Sequence, residues 1–172
     1  MSTVQRCDRL SGGAGTTWDF WEGFNGKMSQ YEFKLVGKKE QLVPLQASSE
    51  AQMGKHMAGV DQYFQKRTCY IIEAKPKSAN VVYSKFRFWM EDTCWLPFYG
   101  EAFDLRGNLW QMNNFNQCWD INWMPYALNM MCPIDLQRTH STTSLMSDAI
   151  LNKEFKPEFF SLNKLKKYYA GR

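Results

Sequence analysis

Residues able to catalyse a reaction are few in this sequence, and their spacing suits that task poorly. The two histidines, His56 and His140, lie in largely polar segments, and neither has a second potential metal ligand at close spacing. Ser141 follows His140 directly, but a catalytic triad depends on a spatial geometry that adjacency in sequence does not supply. Glu91 and Asp104 fall at predicted turns, where carboxylates usually accept hydrogen bonds from backbone N–H groups. We therefore predict a protein that is not an enzyme, and we expect no metal or other cofactor.

Cysteine chemistry is indicated just as weakly. The chain has 5 cysteines at wide spacings and without a CxxC pair, namely Cys7, Cys69, Cys94, Cys118 and Cys132. This arrangement matches neither a zinc site nor a disulfide framework that can be read from sequence. The odd count argues mildly against a fully oxidised secreted domain, or else it leaves one free thiol.

A candidate binding surface is easier to identify, because large apolar side chains recur on one face of a predicted hairpin. Its members are Trp89, Trp95, Tyr99, Trp110 and Met112. Each large aromatic side chain buries about 150–250 Å², so leaving four of them in water would forfeit several kcal/mol. Three coverings stay open: a helix of the same chain, a hydrophobic ligand such as a lipid acyl chain, and a partner protein or second copy. The flexible thioether of Met112 suits the last two.

Three charged residues share this face by the same alternation: Lys85, Arg87 and Glu101. They fit a solvated rim with a cross-strand charge pair worth under about 1 kcal/mol. Alternatively, the two cations meet anionic head groups or acidic residues of a partner. We favour the rim, but we include Lys85 and Arg87 with the five apolar residues as candidate ligand- or partner-binding residues.

Consecutive β-hairpin arms between residues 67 and 112 would position these side chains. Successive side chains of a strand point to opposite faces, so Phe86 and Phe88 lie on one face and Trp89 on the other. An ordinary solvated antiparallel sheet is apolar on one face only. Because both faces of these arms carry large apolar groups, we predict that something covers the second face.

The predicted register brings the candidate residues into cross-strand pairs. With Met90 opposite Cys94, the pairs are Trp89 with Trp95, Lys85 with Tyr99, Trp110 with Glu101, and Met112 with Tyr99. Asp104 opens the turn before the third arm, at residues 109–112, and Gly107 takes the position in that turn that needs a positive φ.

Other segments predict further strands and little helix. Alternation indicates strands at 31–37, 41–46 and 67–75, and extended segments at 127–132 and 134–138. A loose helix within 47–65 and a short turn or helix at 141–151 are weaker expectations. Ser161 is a suitable cap for a C-terminal helix over residues 162–169.

Composition supports one aromatic-rich domain and disfavours nucleic acid as a partner. The chain has 172 residues, 16% of them aromatic, and a formal net charge of +4. Its lysines are concentrated in the tail, at Lys153, Lys156, Lys164, Lys166 and Lys167, and not among the sheet aromatics as in single-strand stacking platforms. A basic C-terminal helix more often lies against a membrane surface or solvent. No apolar run is long enough for a spanning helix, and the N-terminus lacks the pattern of a secretory leader.

From Trp18 onward, most of the chain resembles the C-terminal half of an uncharacterised domain-of-unknown-function family from Gram-negative bacterial envelopes. The segments that carry the resemblance are TWDFWEGFNGKMSQYEFKLVGKKE, YIIEAKP, YSKFRFWMEDTCWLPFYGEAFDLRGNLWQ, MPYALNMMCPIDLQR and FKPEFFSLNKLKKYYAGR. That family is usually described as outer-membrane lipoprotein-sorting-like, and its members are longer, with an N-terminal half and a leader peptide. The resemblance implies the fold of periplasmic lipoprotein carriers, an incomplete antiparallel barrel whose concave apolar side is lined by helices and can hold acyl chains.

These observations combine into one prediction of fold and function. We expect a flexible segment at residues 1–17, followed by a single domain at 18–172. This domain is mainly β (α+β), a curved antiparallel sheet or incomplete β-barrel with one or two packing helices, and it ends in a short C-terminal helix. The expected function is binding or transport of a lipid or other hydrophobic ligand in the periplasm or at the outer membrane, with peripheral membrane contact and oligomers both open. The alternative is a structural subunit of a larger envelope assembly that uses the aromatic sheet face as its interface.

Overall fold

The computed structural model describes residues 16–20, 24, 27–47, 62–79, 81–93, 95–120, 124–145 and 154–170. Its strands are β1 (Tyr31–Ala47), β2 (Gln62–Pro76), β3 (Tyr83–Glu91), β4 (Pro97–Asp104), β5 (Leu109–Asp120), β6 (Met124–Met131), β7 (Ile134–Asp135), β8 (His140–Ser141) and β9 (Ser144–Leu145). The described helical segments are three 3₁₀ turns, Trp18–Phe20, Met28–Gln30 and Pro157–Phe160, and the helix α1 (Leu162–Ala170). None of these helical segments is long and apolar enough to cross a membrane.

The strands form one curved and unclosed sheet, as predicted. Their order is β1-β2-β3-β4-β5-β6-β9, with β7 beside β5 and β8 beside β7. Neighbours along this order pair antiparallel, and one parallel bridge, Leu45 with Gln117, also joins β1 to β5. A bridge between the first and fifth strands requires the sheet to curl strongly at that end.

The direction of curling is fixed by a contact between strands that are not neighbours. The hydroxyl of Tyr99 in β4 donates a hydrogen bond to the carbonyl oxygen of Leu42 in β1, at 2.8 Å, although β2 and β3 lie between them. The sheet therefore curls toward the side that carries Tyr99, which we call the concave face. A small core lies at this end: Val43, Cys69 and Phe98 are buried, and Trp89 and Tyr99 pack against them.

The main core lies on the opposite face. It comprises Phe20, Tyr31, Ala74, Tyr83, Phe86, Phe88 and Ala102, with Phe24, Met90 and Trp110 packed against it. Phe20 stacks on Phe86 with ring centroids 5.7 Å apart. Thr16 and Thr17 are also buried, and the Thr17 hydroxyl hydrogen-bonds to that of Tyr83. The segment 16–20 therefore covers the opposite face, while residues 1–15 of the predicted flexible segment lie outside the described residues.

The predicted register of the central hairpin is wrong. Met90 pairs with Pro97 and not with Cys94, so Trp89 lies opposite Tyr99 and Lys85 opposite Phe103. The reason is the loop after Glu91, where Trp95 has a φ of 59° and its N–H donates to the Glu91 carbonyl oxygen at 3.0 Å. Residues 92–96 therefore lie between the two strands, and β4 begins only at Pro97, whereas a tight turn would have let it begin at Cys94.

The third arm, β5, is longer than predicted, and a β-bulge changes the sheet face on which Trp110 lies. The predicted turn is confirmed, because Gly107 has a φ of 84° and the Asp104 carboxylate accepts hydrogen bonds from the N–H groups of Arg106 and Asn108. Beyond it, β5 continues past Met112 through the polar run at residues 113–117 and ends at Asp120. The register shifts between Ala102 and Phe103, which turns Trp110 away from the concave face.

Several smaller expectations also change. The predicted strands at 31–37 and 41–46 form one continuous strand, β1, with register shifts between Leu35 and Gly37 and between Leu45 and Ala47. Residues 62–65 belong to β2, where a loose helix was expected, and residues 144–145 belong to β9, where a short turn or helix was expected. Residues 48–61 and 146–153 lie outside the described residues. The C-terminal helix is confirmed, and its Lys164 N–H donates to the Ser161 hydroxyl at 3.3 Å, the predicted cap.

Candidate functional site

Five of the seven predicted binding residues come together on the concave face. Trp89 lies opposite Tyr99, with ring centroids 6.5 Å apart in an edge-to-face arrangement. Arg87 lies opposite Glu101, which in turn lies opposite Met112, and residues directly opposite each other share a face. We call Lys85, Arg87, Trp89, Tyr99 and Met112 the concave patch.

The other two predicted residues lie elsewhere. Trp95 stands in the loop after β3, 57% exposed, and its indole stacks on the ring of Tyr70 at 5.2 Å and 3°. Trp110 belongs to the opposite face, where it packs against Tyr83 at 5.2 Å and donates its indole N–H to Asp135 at 3.1 Å. The predicted contact of Trp89 with Trp95, and that of Trp110 with Glu101, are therefore absent.

The aromatic end of the concave patch is dry enough to change the ionisation of its neighbours. Burial, with the Glu91 carboxylate nearby, raises the pKa of the Cys69 thiol to about 11. Burial also raises the pKa of the Tyr99 phenol, whose proton is held in the hydrogen bond to the Leu42 carbonyl oxygen. Both groups are neutral at physiological pH, so neither adds a charge to this end of the patch.

The other end of the patch is an ion-pair network. The Lys85 ammonium lies 2.9 Å from the Glu73 carboxylate, which also lies 3.5 Å from the Arg87 guanidinium. The same guanidinium lies 3.3 Å from Glu101. Both cations lie over the ring of Phe103, with Lys85 at 4.6 Å and Arg87 at 5.4 Å from its centroid.

The two carboxylates of this network have opposite pKa shifts. The hydrogen bond from Lys85 is the main cause that lowers the pKa of Glu73. Burial raises the pKa of Glu101, and this effect outweighs the opposing charges of Arg87 and Lys85. A cross-strand charge pair was expected on this face without its partners being specified, and the structure forms it between Arg87 and Glu101. The pair belongs to a partly buried network and not to the solvated rim that we favoured.

Sequence reasoning missed Glu73 and Phe103 as members of this network. The alternation of β2 already placed Glu73 on the same face as Ile71, and β2 pairs with β3 around the turn at 77–79. A tight turn at 77–79 would have set Glu73 opposite Tyr83, whereas the longer connection between Pro76 and Tyr83 sets it opposite Arg87. The available sign of the network was the opposite charge of Glu73 in β2 and of Lys85 and Arg87 in β3, two strands that follow each other in the sequence.

Residues with catalytic potential remain dispersed. His140 is exposed in β8, and His56 lies outside the described residues. Among the described residues, no group of three or more His, Cys, Asp and Glu side chains is placed to hold a metal ion. The Glu91 carboxylate accepts a hydrogen bond from the Thr93 N–H at 2.7 Å, which is the turn-capping role predicted for it.

Comparison with solved structures identifies the fold. A domain named for outer membrane lipoprotein sorting, from Vibrio parahaemolyticus, superposes with a TM-score of 0.65 at 16% identity, over 95% of this chain and 59% of its own. A DUF1329 family protein from Desulfovibrio piger gives 0.63 at 14% identity, over 95% and 58%. A LolA superfamily protein from Nitrosomonas europaea gives 0.56 at 11% identity, over 94% and 61%. The fold is therefore LolA-like, and the chain spans about three-fifths of the length of these proteins.

The sequence comparisons agree with the structural ones. No curated protein matches the sequence. The family model for the protein of unknown function DUF1329 matches residues 1–166, nearly the whole chain. This chain belongs to the DUF1329 family.

Proposed function

We propose that this chain binds or carries a hydrophobic ligand, such as a lipid acyl chain, without chemical change, in the periplasm or at the outer membrane of a Gram-negative bacterium. The observation that carries the proposal is the concave patch, where Trp89, Tyr99 and Met112 lie on the side toward which the sheet curls. A LolA-like fold and a similar structure named for lipoprotein sorting support it.

The proposed mechanism is removal of apolar surface from water. An acyl chain lying against Trp89, Tyr99 and Met112 would gain about 0.8 kcal/mol for each CH₂ group that it buries. The Glu73–Lys85–Arg87–Glu101 network would face the polar end of the ligand. Because each cation in it already has a carboxylate partner, we expect the network to orient a head group and to contribute less affinity than the chain contacts.

Native mass spectrometry of protein purified gently from its source tests this function. The expected result is a co-purifying lipid of discrete mass that organic extraction releases. The Trp89→Ala variant should retain less of that lipid than the Trp95→Ala variant, because only Trp89 lies in the concave patch. Protein that carries no lipid, or equal lipid in both variants, would contradict the proposal.

A second candidate function is supported by one observation. The strand β1 pairs with β2 along its length, but within the described residues its other edge is bridged only at Leu45. Phe33, Leu35 and Leu42 along it are 43%, 60% and 62% exposed. A long open edge with exposed apolar side chains is suited to strand addition by a partner. A stable protein complex without lipid in the same spectra would favour a structural subunit of an envelope assembly.

A further inference from the structure

The C-terminal segment, residues 154–170, carries an aromatic cluster that projects into solvent. The rings of Phe155 and Phe159 lie 4.7 Å apart, and Phe160 lies 5.4 Å from Phe159 and 5.9 Å from Phe155. Their exposed fractions are 44% for Phe155, 50% for Phe159 and 75% for Phe160, and the following Leu162 is 73% exposed. Four large apolar side chains that stay this exposed in consecutive turns form a surface suited to contact with something outside the chain.

Basic side chains accompany this cluster. A shallow groove is lined by Phe155 and Phe159 together with Lys156, Lys164 and the acidic Glu154 and Glu158. Lys166 and Lys167 are exposed in the same helix. Lysines thus outnumber glutamates over the segment, four to two.

The two helical parts of the segment contact each other. Among the described elements, the helix α1 lies chiefly against the 3₁₀ turn Pro157–Phe160 that precedes it. The Ser161 cap fixes the corner between the two, because its hydroxyl accepts a hydrogen bond from the Lys164 N–H. The corner holds Lys164 of α1 next to Phe155 and Phe159.

We infer that residues 154–170 dock the protein onto the surface of an anionic phospholipid bilayer. Phe155, Phe159, Phe160 and Leu162 would enter the boundary between head groups and acyl chains, and the lysines would lie at the level of the phosphates. Apolar groups with adjacent lysines are the combination that interfacial segments use, since burial of the apolar groups adds to attraction by acidic lipids. A protein partner would need a matching acidic and apolar groove, whereas an anionic bilayer supplies both properties at every point.

This inference goes beyond the proposed ligand and does not require it. The docking segment and the concave patch share no residue, so each can be disabled alone.

Vesicle co-sedimentation of the full chain tests the inference. We expect binding to vesicles of phosphatidylcholine with phosphatidylglycerol, weaker binding to phosphatidylcholine alone, and a loss of binding as salt screens the charges. The double variant Phe159→Ser, Phe160→Ser should lower the partition coefficient at least about tenfold, because burial of these rings supplies the apolar part of the affinity. Phe64→Ser, which replaces a 52% exposed phenylalanine on the sheet, is the matched control and should bind as the unmodified chain does.

Charge reversal gives an independent readout. Lys164→Glu with Lys167→Glu should weaken binding to the anionic vesicles by about thirtyfold or more, at about fivefold for each basic residue near the surface. The control Lys34→Glu with Lys39→Glu makes the same charge change on β1 and should have a much smaller effect. Equal binding to both kinds of vesicle, no binding to either, or equal loss in variant and control would overturn the inference. Lipid carried in the native spectra is a separate result, so the two proposals can fail separately.

Discussion

At the scale of single residues, the charged end of the concave patch depends on Glu73. This carboxylate is 12% exposed and is the shared partner of Lys85 and Arg87. Removing Glu73 takes away the carboxylate that lies 2.9 Å from Lys85 and leaves Arg87 with Glu101, and breaking a partly buried ion pair costs more than the pair contributes. Glu73 should therefore matter more to stability than an average surface carboxylate.

Replacing Glu73 by Gln should lower the free energy of unfolding by about 1–2 kcal/mol at pH 7. The folded-state pKa of Glu73 lies below its ordinary value of 4.5, so its stabilising effect is complete above that value and is lost as the pH falls through the lower folded-state pKa. Urea denaturation of both proteins between pH 7 and pH 3 should show the difference shrinking toward low pH. If the difference in free energy of unfolding between the two proteins stayed constant with pH, the charge of the Glu73 carboxylate would not be what stabilises the fold.

Cys69 allows a test of how dry the aromatic end is. With its pKa raised to about 11 and its side chain fully buried, this thiol has little thiolate and no access to reagent in the folded state. We expect alkylation of Cys69 by iodoacetamide at pH 8 to be at least about a hundredfold slower in the native protein than in urea.

Peptide mapping by mass spectrometry identifies the alkylated cysteine in that experiment. Cys132 is also buried and has a raised pKa, so it should be protected from iodoacetamide in the same way. Rapid native labelling of Cys69 would show that the small core beside Trp89 and Tyr99 opens to solvent.

At the scale of elements, the packing of segment 16–20 on the sheet depends on a glycine. A Cβ atom added at Gly100 would lie 2.9 Å from the ring of Phe20 and 3.3 Å from that of Phe115. Gly100 pairs with Phe88 in β3, so the phenyl ring of Phe20 rests directly on the β4 backbone in the main core.

Gly100→Ala should destabilise the protein by about 1–3 kcal/mol, because Phe20 must move away from a closely packed core. Gly37→Ala is the matched control: its added Cβ meets nothing within 4 Å, and alanine costs less backbone entropy than glycine in a strand. Thermal unfolding should therefore move the two midpoints in opposite directions, or leave that of the control unchanged. Equal shifts would argue against the contact of Phe20 with β4.

The hairpin arms could be predicted from the sequence because their signals are local. Alternation along β3 and the Asp104 to Gly107 turn need only neighbouring residues to be recognised. The register could not be predicted, since the positive φ of Trp95 depends on how the loop after Glu91 packs against β2. Trp110 changed faces through a bulge for a similar reason: its partners Tyr83 and Asp135 are distant in sequence.

At the scale of the whole molecule, two apolar sheet faces are covered in different ways. Phe20 and Phe24 of the N-terminal segment pack on the opposite face. Part of the concave face is covered by β1 itself, through the curl that brings Leu42 to Tyr99. The sequence predicted that a cover was needed, and the family resemblance implied a curved sheet. The sequence did not predict that the curved sheet would cover part of its own concave face. That curvature brings β1 to β5, and no single segment of the sequence specifies this pairing.

Photocrosslinking with a diazirine-bearing palmitic acid tests the central claim, that the concave face holds an apolar ligand, most directly. We expect saturable labelling that unlabelled palmitic acid competes away, with adducts in the peptides that contain Trp89, Tyr99 and Met112. The Trp89→Ala variant should be labelled less than the Trp95→Ala variant. Labelling that does not saturate, or adducts confined to the C-terminal segment and other exposed surfaces, would contradict it.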